Sequence, residues 1–404
     1  MNIAIQRKQN ISIIMGLILV LLFAAALNLI SRYYFFIFIA FFLFMMKPKR
    51  KYRIDAAVGW LVVLALSWVL FAPSAAVSTL SMLKPFAYVL CYIMGAGFFD
   101  DGIENNKEKS PYRLFYIITV TLALGTFVHY ILNWATNMDT VERNTVDIWT
   151  QEVMGATGQA ALACLPLGLA ISFLFSKTGK LVKILSATTI VLILIYNLVL
   201  SGRTLLVMLL AIVAVSFLHR LSMQKGGRIR VIVIFLVIVL LILFVYQTDL
   251  FGVRSMVEDS PLYKRFFSKD KTSELDEDVR MEKKIYFLNN MHRFLFGGAH
   301  IREEMGYSHD IIFDTHDEAG IFAFIAMLGY LTISAAHLIR CVTDKSLPFV
   351  FRNAVLCIYG ALYLEFMVEP ILLGMPWLFA TFCLIDGYVG RVLNHNRMIK
   401  SGVR

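Results

Sequence analysis

The chain alternates between long apolar runs and shorter polar segments in which lysine and arginine are frequent. Most of the apolar runs approach the ~20 residues that an α-helix needs to cross a ~30 Å hydrocarbon core. They predict twelve membrane spans at residues 11–30, 33–46, 56–72, 80–99, 114–133, 158–175, 182–200, 203–218, 231–247, 319–338, 349–367 and 371–388. We therefore expect an all-α fold, a polytopic bundle of about twelve transmembrane helices that forms a single membrane domain over residues 1–404.

The distribution of positive charge predicts how this bundle is oriented. With the N-terminus in the cytoplasm, six successive loops or tails on that side carry clusters of Lys and Arg, from residues 47–53 to residues 391–400. Cytoplasmic loops of membrane proteins are enriched in these residues. An even number of spans then places both termini in the cytoplasm, so we expect a multi-pass protein of the cytoplasmic membrane.

The longest polar segment, residues 248–318, falls on the outer face in this topology. Apolar positions in residues 279–296 recur at three- and four-residue spacing, which predicts an amphipathic helix. Acidic residues at 276–278 precede it and glycines at 297–298 end it. Residues 260–267 are a candidate for a second interfacial piece. We expect one large extracytoplasmic loop that contains short amphipathic helices.

Composition supports the membrane interpretation and excludes several others. The chain is 59% hydrophobic with a mean hydropathy of +0.71, above the ~45–50% apolar content of soluble domains. The net charge of +10 lies in short loops between apolar runs, where it indicates topology and not a nucleic-acid partner. The five cysteines fall in or beside apolar runs, without the spacing of a disulfide framework or a metal site.

A dense polar stretch at residues 308–320 runs directly into an apolar segment. It reads Ser-His-Asp-Ile-Ile-Phe-Asp-Thr-His-Asp-Glu-Ala-Gly, with His309 eleven residues before Gly320 and Glu318 two residues before it. The pattern resembles the His-Asn…Glu-x-Gly-(Ile/Leu) signature of the O-antigen ligase and O-antigen polymerase superfamily of bacterial envelope glycosyltransferases. Asp310 stands where the family usually has Asn.

The resemblance covers roughly residues 155–335. The sequence Leu-Ser-Gly-Arg-Thr-Leu at 200–205 resembles the family's Leu-(Thr/Ser)-(Gly/Ser)-Ser-Arg-(Thr/Gly)-Ala hairpin. Arg280, the glycines at 297–298 and His309 resemble its Arg…Gly-x-Gly…His-Asn progression, and residues 155–159 are a loose counterpart of a small-and-amide segment.

This resemblance implies a polyprenyl-pyrophosphate-linked glycan as donor and an outer-face hydroxyl as acceptor, without a metal, nucleotide sugar or other cofactor. A pyrophosphate leaving group needs fixed cations, and guanidinium groups match phosphate oxygens. Arg203 and Arg280 are the candidates, and Lys84 near the outer end of the fourth span is a third. Arg203 and Lys84 also suit the role of interfacial anchors.

An imidazole suits the removal of a proton from the acceptor hydroxyl at neutral pH. His309 is the candidate base because of its spacing to Gly320, and His316 is the competing histidine. Asp310, Asp314 and Glu318 follow closely in sequence, so that one of them could orient the imidazole or act on the acceptor itself. We take His309, Asp310 and Glu318 as the candidate catalytic residues.

Three other interpretations stay open. The first is ligation to a lipid-anchored core, which shares its donor chemistry with the polymerisation of glycan repeats that we favour. A lipid-linked oligosaccharide transporter is the main alternative of another class, because Glu365 and Asp386 lie within late spans. A non-catalytic membrane scaffold is the third. The expected partners are the donor, a glycan or lipid-anchored acceptor, the bilayer and other envelope polysaccharide assembly proteins.

Overall fold

The computed structural model describes residues 2–29, 54–73, 79–105, 110–137, 144–223, 228–267 and 272–401, and these are mostly helical. Within them, seven helical segments are long and apolar enough to cross a membrane: Ser81–Phe99, Tyr112–Thr136, Ala156–Phe175, Lys180–Leu200, Arg203–Met223, Ile311–Thr343 and Phe349–Phe366. Met15–Leu27 and Ala56–Phe71 are shorter apolar helices. The expectation of a multi-pass helical membrane protein is confirmed. The predicted span at 33–46 lies outside the described residues.

In chain order, the helices are α1 (Asn2–Leu27), α2 (Ala56–Phe71), α3 (Thr79–Asn105), α4 (Ser110–Thr136), α5 (Ala156–Phe175), α6 (Lys180–Leu200), α7 (Arg203–Met223), α8 (Arg228–Gln247), α9 (Val253–Glu258), α10 (Pro261–Phe267), α11 (Thr272–Asn290), α12 (His300–Met305), α13 (Ile311–Thr343), α14 (Phe349–Phe366), α15 (Ile371–Gly374) and α16 (Pro376–Lys400). Two short strands, β1 (Asn144–Val146) and β2 (Val153–Gly155), lie between α4 and α5.

The described chain divides into two compact units. The first comprises residues 1–129, 279–347 and 365–404, and the second comprises residues 130–278 and 348–364. The prediction of a single membrane domain stays a prediction.

Glycines allow α3 and α16 of the first unit to pack backbone against backbone. A Cβ atom on Gly95 would lie 1.9 Å from the carbonyl oxygen of Leu384, and one on Gly387 would lie 2.0 Å from that of Tyr92. Small residues permit this close approach of membrane helices. The contact between α3 and α16 therefore requires glycine at both positions.

The same unit packs α13 along α2. Asp55 caps α2 by accepting a hydrogen bond from the backbone nitrogen of Val58 at 3.2 Å. One turn later along α2, the indole of Trp60 lies against Gly329 of α13, where a Cβ would approach it to 2.5 Å. The Asp55 cap and the contact of Trp60 with Gly329 thus position α2 and α13, the helix that contains the polar stretch.

In the second unit, α5 packs against α6 and α7. Gly168 of α5 lies against the backbone of α14. A Cβ atom on Gly168 would lie 3.0 Å from the carbonyl oxygen of Cys357. The buried amide of Asn353 accepts a hydrogen bond from Ser216 at 3.1 Å and donates to the carbonyl of Ser172 at 3.1 Å. Buried polar groups of three helices are joined in this way.

The hairpin of β1 and β2 adds a small antiparallel sheet that the all-α expectation did not include. Its Thr145 accepts a hydrogen bond from Gln159 at 2.8 Å, and Asn137 donates to the carbonyl of Val146 at 2.9 Å. Three-residue strands are too short to show a period-two pattern in sequence. Side-chain amides on the flanking helices hold the strands, and the sequence does not reveal those contacts.

Several predicted boundaries are corrected. Helix α11 spans Thr272–Asn290, so the acidic residues at 276–278 lie inside it and not before it, and it ends before the glycines at 297–298. The apolar run at 371–388 is divided into α15 and α16 at Met375. Residues 260–267 do contain a helix, α10. The apolar span predicted to begin at 319 starts at a kink at Gly320, which joins it to a polar arm that begins at Ile311.

Candidate functional site

The polar arm of α13 begins with two capping interactions that surround His309. Asp310 is the N-cap residue and accepts from the backbone nitrogen of Ile312 at 3.1 Å. Asp314 accepts from both the backbone nitrogen and the hydroxyl of Ser308, at 3.0 and 2.7 Å. His309, between the two, has a left-handed backbone with φ of 57°. Such a conformation costs a residue with a side chain about 1–2 kcal/mol, which the capping bonds on both sides offset.

Gly320 divides α13 into this arm and an apolar helix. Its φ of 78° and ψ of −171° are not helical, and the residues before α12 pack into the resulting kink. The nitrogen of Ile321 donates to the carbonyl of Leu295 at 2.8 Å, and that of Ala299 donates to the carbonyl of Asp317 at 2.8 Å. A Cβ on Gly320 would lie 2.6 Å from the Leu295 oxygen, so this contact requires glycine.

Arg302 is fixed from two sides by the polar arm. Asp317 caps α12 by accepting from the backbone nitrogens of Ile301 and Arg302, at 2.9 and 3.1 Å. Glu318 is fully buried and accepts from the Arg302 guanidinium at 2.6 Å. The guanidinium also lies over the ring of Tyr307, 5.4 Å from its centroid. Its position is therefore set by a buried ion pair and an aromatic face.

A further contact joins α12 to α11. The hydroxyl of Tyr286 donates to the carboxylate of Glu304, and this hydrogen bond raises the pKa of the Tyr286 phenol. Lys284 of α11 forms an ion pair with Asp310 at 3.3 Å. The amphipathic helix α11 thus holds both the helix that carries Arg302 and the N-cap of α13.

Arg302 and Lys84 line one cavity of about 300 Å³ in the first unit. Its other lining residues combine hydroxyl groups with large apolar and aromatic side chains: Trp68, Ser81, Pro85, Tyr88, Tyr307, Leu372 and Leu373. Two cations beside apolar side chains suit a ligand with an anionic group attached to a lipid. We refer to this space as the Lys84–Arg302 cavity.

The structure brings together only part of the predicted set. Lys84 lines the cavity, and Glu318 contacts it through Arg302. His309 is half-buried and its ring lies 6.5 Å from that of Tyr307, a lining residue, between centroids. Asp310 acts as a helix cap and as the partner of Lys284, and this gives its carboxylate a structural role.

The two predicted arginines belong to α7 and α11. Arg203 is half-buried and begins α7 in the second unit, after a turn in which Ser201 has φ of 50°. Arg280 lies in α11, and its side chain is outside the described residues. Both keep their proposed pyrophosphate role as a prediction.

Sequence reasoning missed Arg302. Arg302 matches no motif position. Its neighbour His300 matches none either, and its ring packs against Phe294 with 4.9 Å between the ring centroids. The available signal was Glu318, a carboxylate at the head of an apolar segment, which requires a cationic partner when it is buried.

His316, the competing histidine, lies in an aromatic environment. It is fully buried, and its ring makes edge contacts with Phe287 at 5.4 Å and Phe324 at 5.8 Å. Among the described residues neither ring nitrogen has a hydrogen-bond partner. These contacts indicate that His316 packs the inner face of the polar arm.

The fold and this site define a multi-pass helical membrane protein with a cavity that is lined by two cations and by apolar side chains. In the part of the chain that the structure describes, no group of three or more His, Cys, Asp or Glu residues is arranged to hold a metal ion. No protein-family model and no curated protein matches the sequence.

Proposed function

We propose that the protein is a membrane glycosyltransferase that transfers glycan units from a polyprenyl-pyrophosphate donor on the outer face of the cytoplasmic membrane. The observation that carries the proposal is the Lys84–Arg302 cavity, where two cations stand beside apolar side chains. Pyrophosphate on a lipid requires this combination, because its phosphates need fixed positive charge and its chain needs apolar contact.

The proposed reaction gives one role to each group at this cavity, and the pyrophosphate roles of Arg203 and Arg280 stay predictions beside it. Lys84 and Arg302 bind the donor pyrophosphate and stabilise the charge that develops on it as the anomeric carbon–oxygen bond breaks. The acceptor hydroxyl attacks the anomeric carbon, and His309 takes its proton. The products are the new glycosidic bond and polyprenyl pyrophosphate. Glu318 is a positioning residue in this scheme, because its carboxylate holds the Arg302 guanidinium.

The finer topology belongs to the same proposal. We infer twelve spans with both termini in the cytoplasm, so that residues 248–318 and the Lys84–Arg302 cavity face outwards. We favour a polymerase over a ligase because the outer loops are not conspicuously basic, as binding a phosphorylated lipid core would favour.

The test of the cavity is a substitution that keeps charge but removes the planar fork of the guanidinium. Arg302→Lys is expected to lower the transfer rate of purified protein about 10–100-fold, since a charge-assisted hydrogen bond contributes ~1.5–3 kcal/mol. Lys84→Gln is expected to have a similar effect.

The matched control is Arg254→Lys. Arg254 also pairs with a glutamate, Glu258 at 2.8 Å, but on the exposed surface of α9 and outside the cavity. Its rate is expected to stay unchanged. Equal activity in Arg302→Lys, Lys84→Gln and wild type would refute the proposed role of the cavity.

Deletion of the gene distinguishes the two acceptors. Surface glycan reduced to single repeats indicates a polymerase, and full-length chains left on the polyprenyl carrier indicate a ligase.

A transporter of lipid-linked oligosaccharide is the second candidate, and buried charge within the helices favours it. Glu365 and Asp386 are fully buried, and His337 lies 2.9 Å from Asp386. Ionisable groups inside membrane helices often mark ion or substrate paths. Reconstituted vesicles separate the candidates, because a transporter moves the labelled donor across the bilayer without forming a glycosidic bond.

A further inference from the structure

A second cavity of about 300 Å³ lies in the first unit. Helix α2 contributes Trp68 to the Lys84–Arg302 cavity and Val58 to this one, and α3 contributes Lys84 and Gly97 respectively. The thirteen residues from Lys84 to Gly97 correspond to roughly 20 Å along the axis of α3. The two cavities therefore lie towards opposite ends of the α2–α3 pair.

The walls of the second cavity are held by hydrogen bonds and by backbone contact. The hydroxyl of Tyr92 donates to one oxygen of Asp55 at 2.9 Å, and the other oxygen accepts from the backbone nitrogen of Val58 in α2 at 3.2 Å. Gly387 of α16, which also lines the cavity, lies in backbone contact with Tyr92 of α3. His337 and Asp386 form a buried pair where α13 meets α16. These contacts fix α2, α3 and α16 before any ligand arrives, so the site is preorganised.

Helix α16 supplies the cations. Arg391, Asn394 and Arg397 all line the cavity, and their three-residue spacing places them along neighbouring positions of one helix. Asp55 is the acidic residue among the lining side chains that the structure describes, and both oxygens of its carboxylate already accept hydrogen bonds. Two guanidinium groups and a side-chain amide thus line one space. Phosphate oxygens are the ligands that such a set of donors recognises best.

We propose that this cavity binds a phosphate-bearing group through Arg391 and Arg397. Its volume is at the lower end of the ~300–1,000 Å³ typical of ligand pockets, which suits a head group and not a whole lipid. Basic pockets between membrane helices bind the head groups of anionic lipids. The phosphate belongs either to such a lipid or to a free phosphate compound. The proposal does not depend on the glycosyltransferase assignment, because it uses other residues at the other end of the helix pair.

The test compares ligands on the full-length protein purified in detergent. Thermal unfolding is followed during titration with phosphatidylglycerol, with zwitterionic phosphatidylcholine, and with inorganic phosphate alone. Phosphatidylglycerol is expected to raise the unfolding temperature and phosphatidylcholine is not. A similar rise with inorganic phosphate alone identifies a free phosphate compound as the ligand. No response to either phosphatidylglycerol or inorganic phosphate overturns the proposal.

The variants locate the effect. Arg391→Gln combined with Arg397→Gln is expected to weaken the apparent affinity at least about tenfold, since two charge-assisted contacts are removed. Arg340→Gln is the matched control, because Arg340 is exposed at the last turn of α13 and does not line the cavity. Wild-type affinity in the double variant, or an equal loss in Arg340→Gln, contradicts the proposal. If the double variant does not fold, Arg397→Gln alone at an exposed position gives the same comparison with a smaller loss.

Discussion

His309 illustrates how single residues prepare the proposed site. Its left-handed backbone places it between two capping carboxylates, and its ring contacts Tyr307 at the edge of the Lys84–Arg302 cavity. Non-glycine residues in such conformations persist where the surrounding structure determines them, and they are frequent at functional sites. The carboxylate of Asp310 accepts from the backbone nitrogen of Ile312, and one oxygen of Asp314 accepts from the backbone and hydroxyl of Ser308, which gives both carboxylates a positioning role.

We predict that His309→Ala lowers the transfer rate of purified protein about 10²–10⁴-fold, the usual contribution of a positioned general base. Abundance in the membrane is expected to stay near wild type because the side chain is only half-buried. The measurement is product formation per mole of folded protein with a polyprenyl-pyrophosphate-linked donor.

His316→Ala is the matched control for this prediction. It removes a fully buried ring that packs against two phenylalanines, so less folded protein is expected but a similar rate per folded molecule. If the rate is kept in His309→Ala and lost in His316→Ala, the wrong histidine has been assigned. If both variants stay active, a carboxylate such as Asp310, Asp314 or Glu318 is the base instead.

At the scale of elements, the kink in α13 organises the site. The apolar part of α13 packs along α2, while its polar arm turns at Gly320 and holds α12 and the segment before it. The positions of Arg302 and His309 both depend on this turn. Arg302 lies in α12, which Asp317 of the polar arm caps, and His309 directly precedes the N-cap of that arm.

Gly320→Ala is predicted to lower the free energy of unfolding by about 2–4 kcal/mol. The alanine would have to adopt φ of 78°, and its Cβ would lie 2.6 Å from the carbonyl oxygen of Leu295. Thermal unfolding in detergent measures the effect. Gly59→Ala in α2 is the control, since Gly59 has open space around its Cβ position and alanine favours a helix by up to ~1 kcal/mol. Equal stability of the two variants would show that the kink is not required.

At the scale of the whole molecule, the apolar helices establish membrane insertion, and the charge distribution predicts orientation. The five native cysteines are buried, which leaves a low background for labelling experiments. Glu303 in α12 and Lys345 after α13 are both exposed and lie beyond the two ends of the apolar part of α13.

We predict that Glu303→Cys reacts with an impermeant maleimide in intact cells, or in spheroplasts where an outer membrane blocks access. Lys345→Cys is expected to react only after the membrane is opened, because the positive-inside pattern places that loop in the cytoplasm. The reverse labelling pattern would invert the topology and remove the Lys84–Arg302 cavity from the outer face.

Sequence by itself determined the features that depend on neighbouring residues. Apolar runs of membrane length predicted the helices, and most predicted spans have a matching helix in the described residues. The polar stretch before Gly320 was recognisable because a cluster of polar residues, a special glycine and an apolar helix follow one another directly. Local patterns of this kind reflect the helix period and the cost of burying polar groups, and both can be read from the order of residues.

Only the tertiary structure decided which charges meet. Arg302 and Glu318 are separated by a loop and two helix ends, yet they form an ion pair. Lys84 comes from a helix more than two hundred residues earlier, yet it lines the same cavity as Arg302. The hairpin after α4 and the backbone contact of α3 with α16 were likewise invisible, because each depends on a partner distant in sequence. Pairing between distant residues is set by helix packing and by the need of buried charges for partners, and a one-dimensional pattern contains neither.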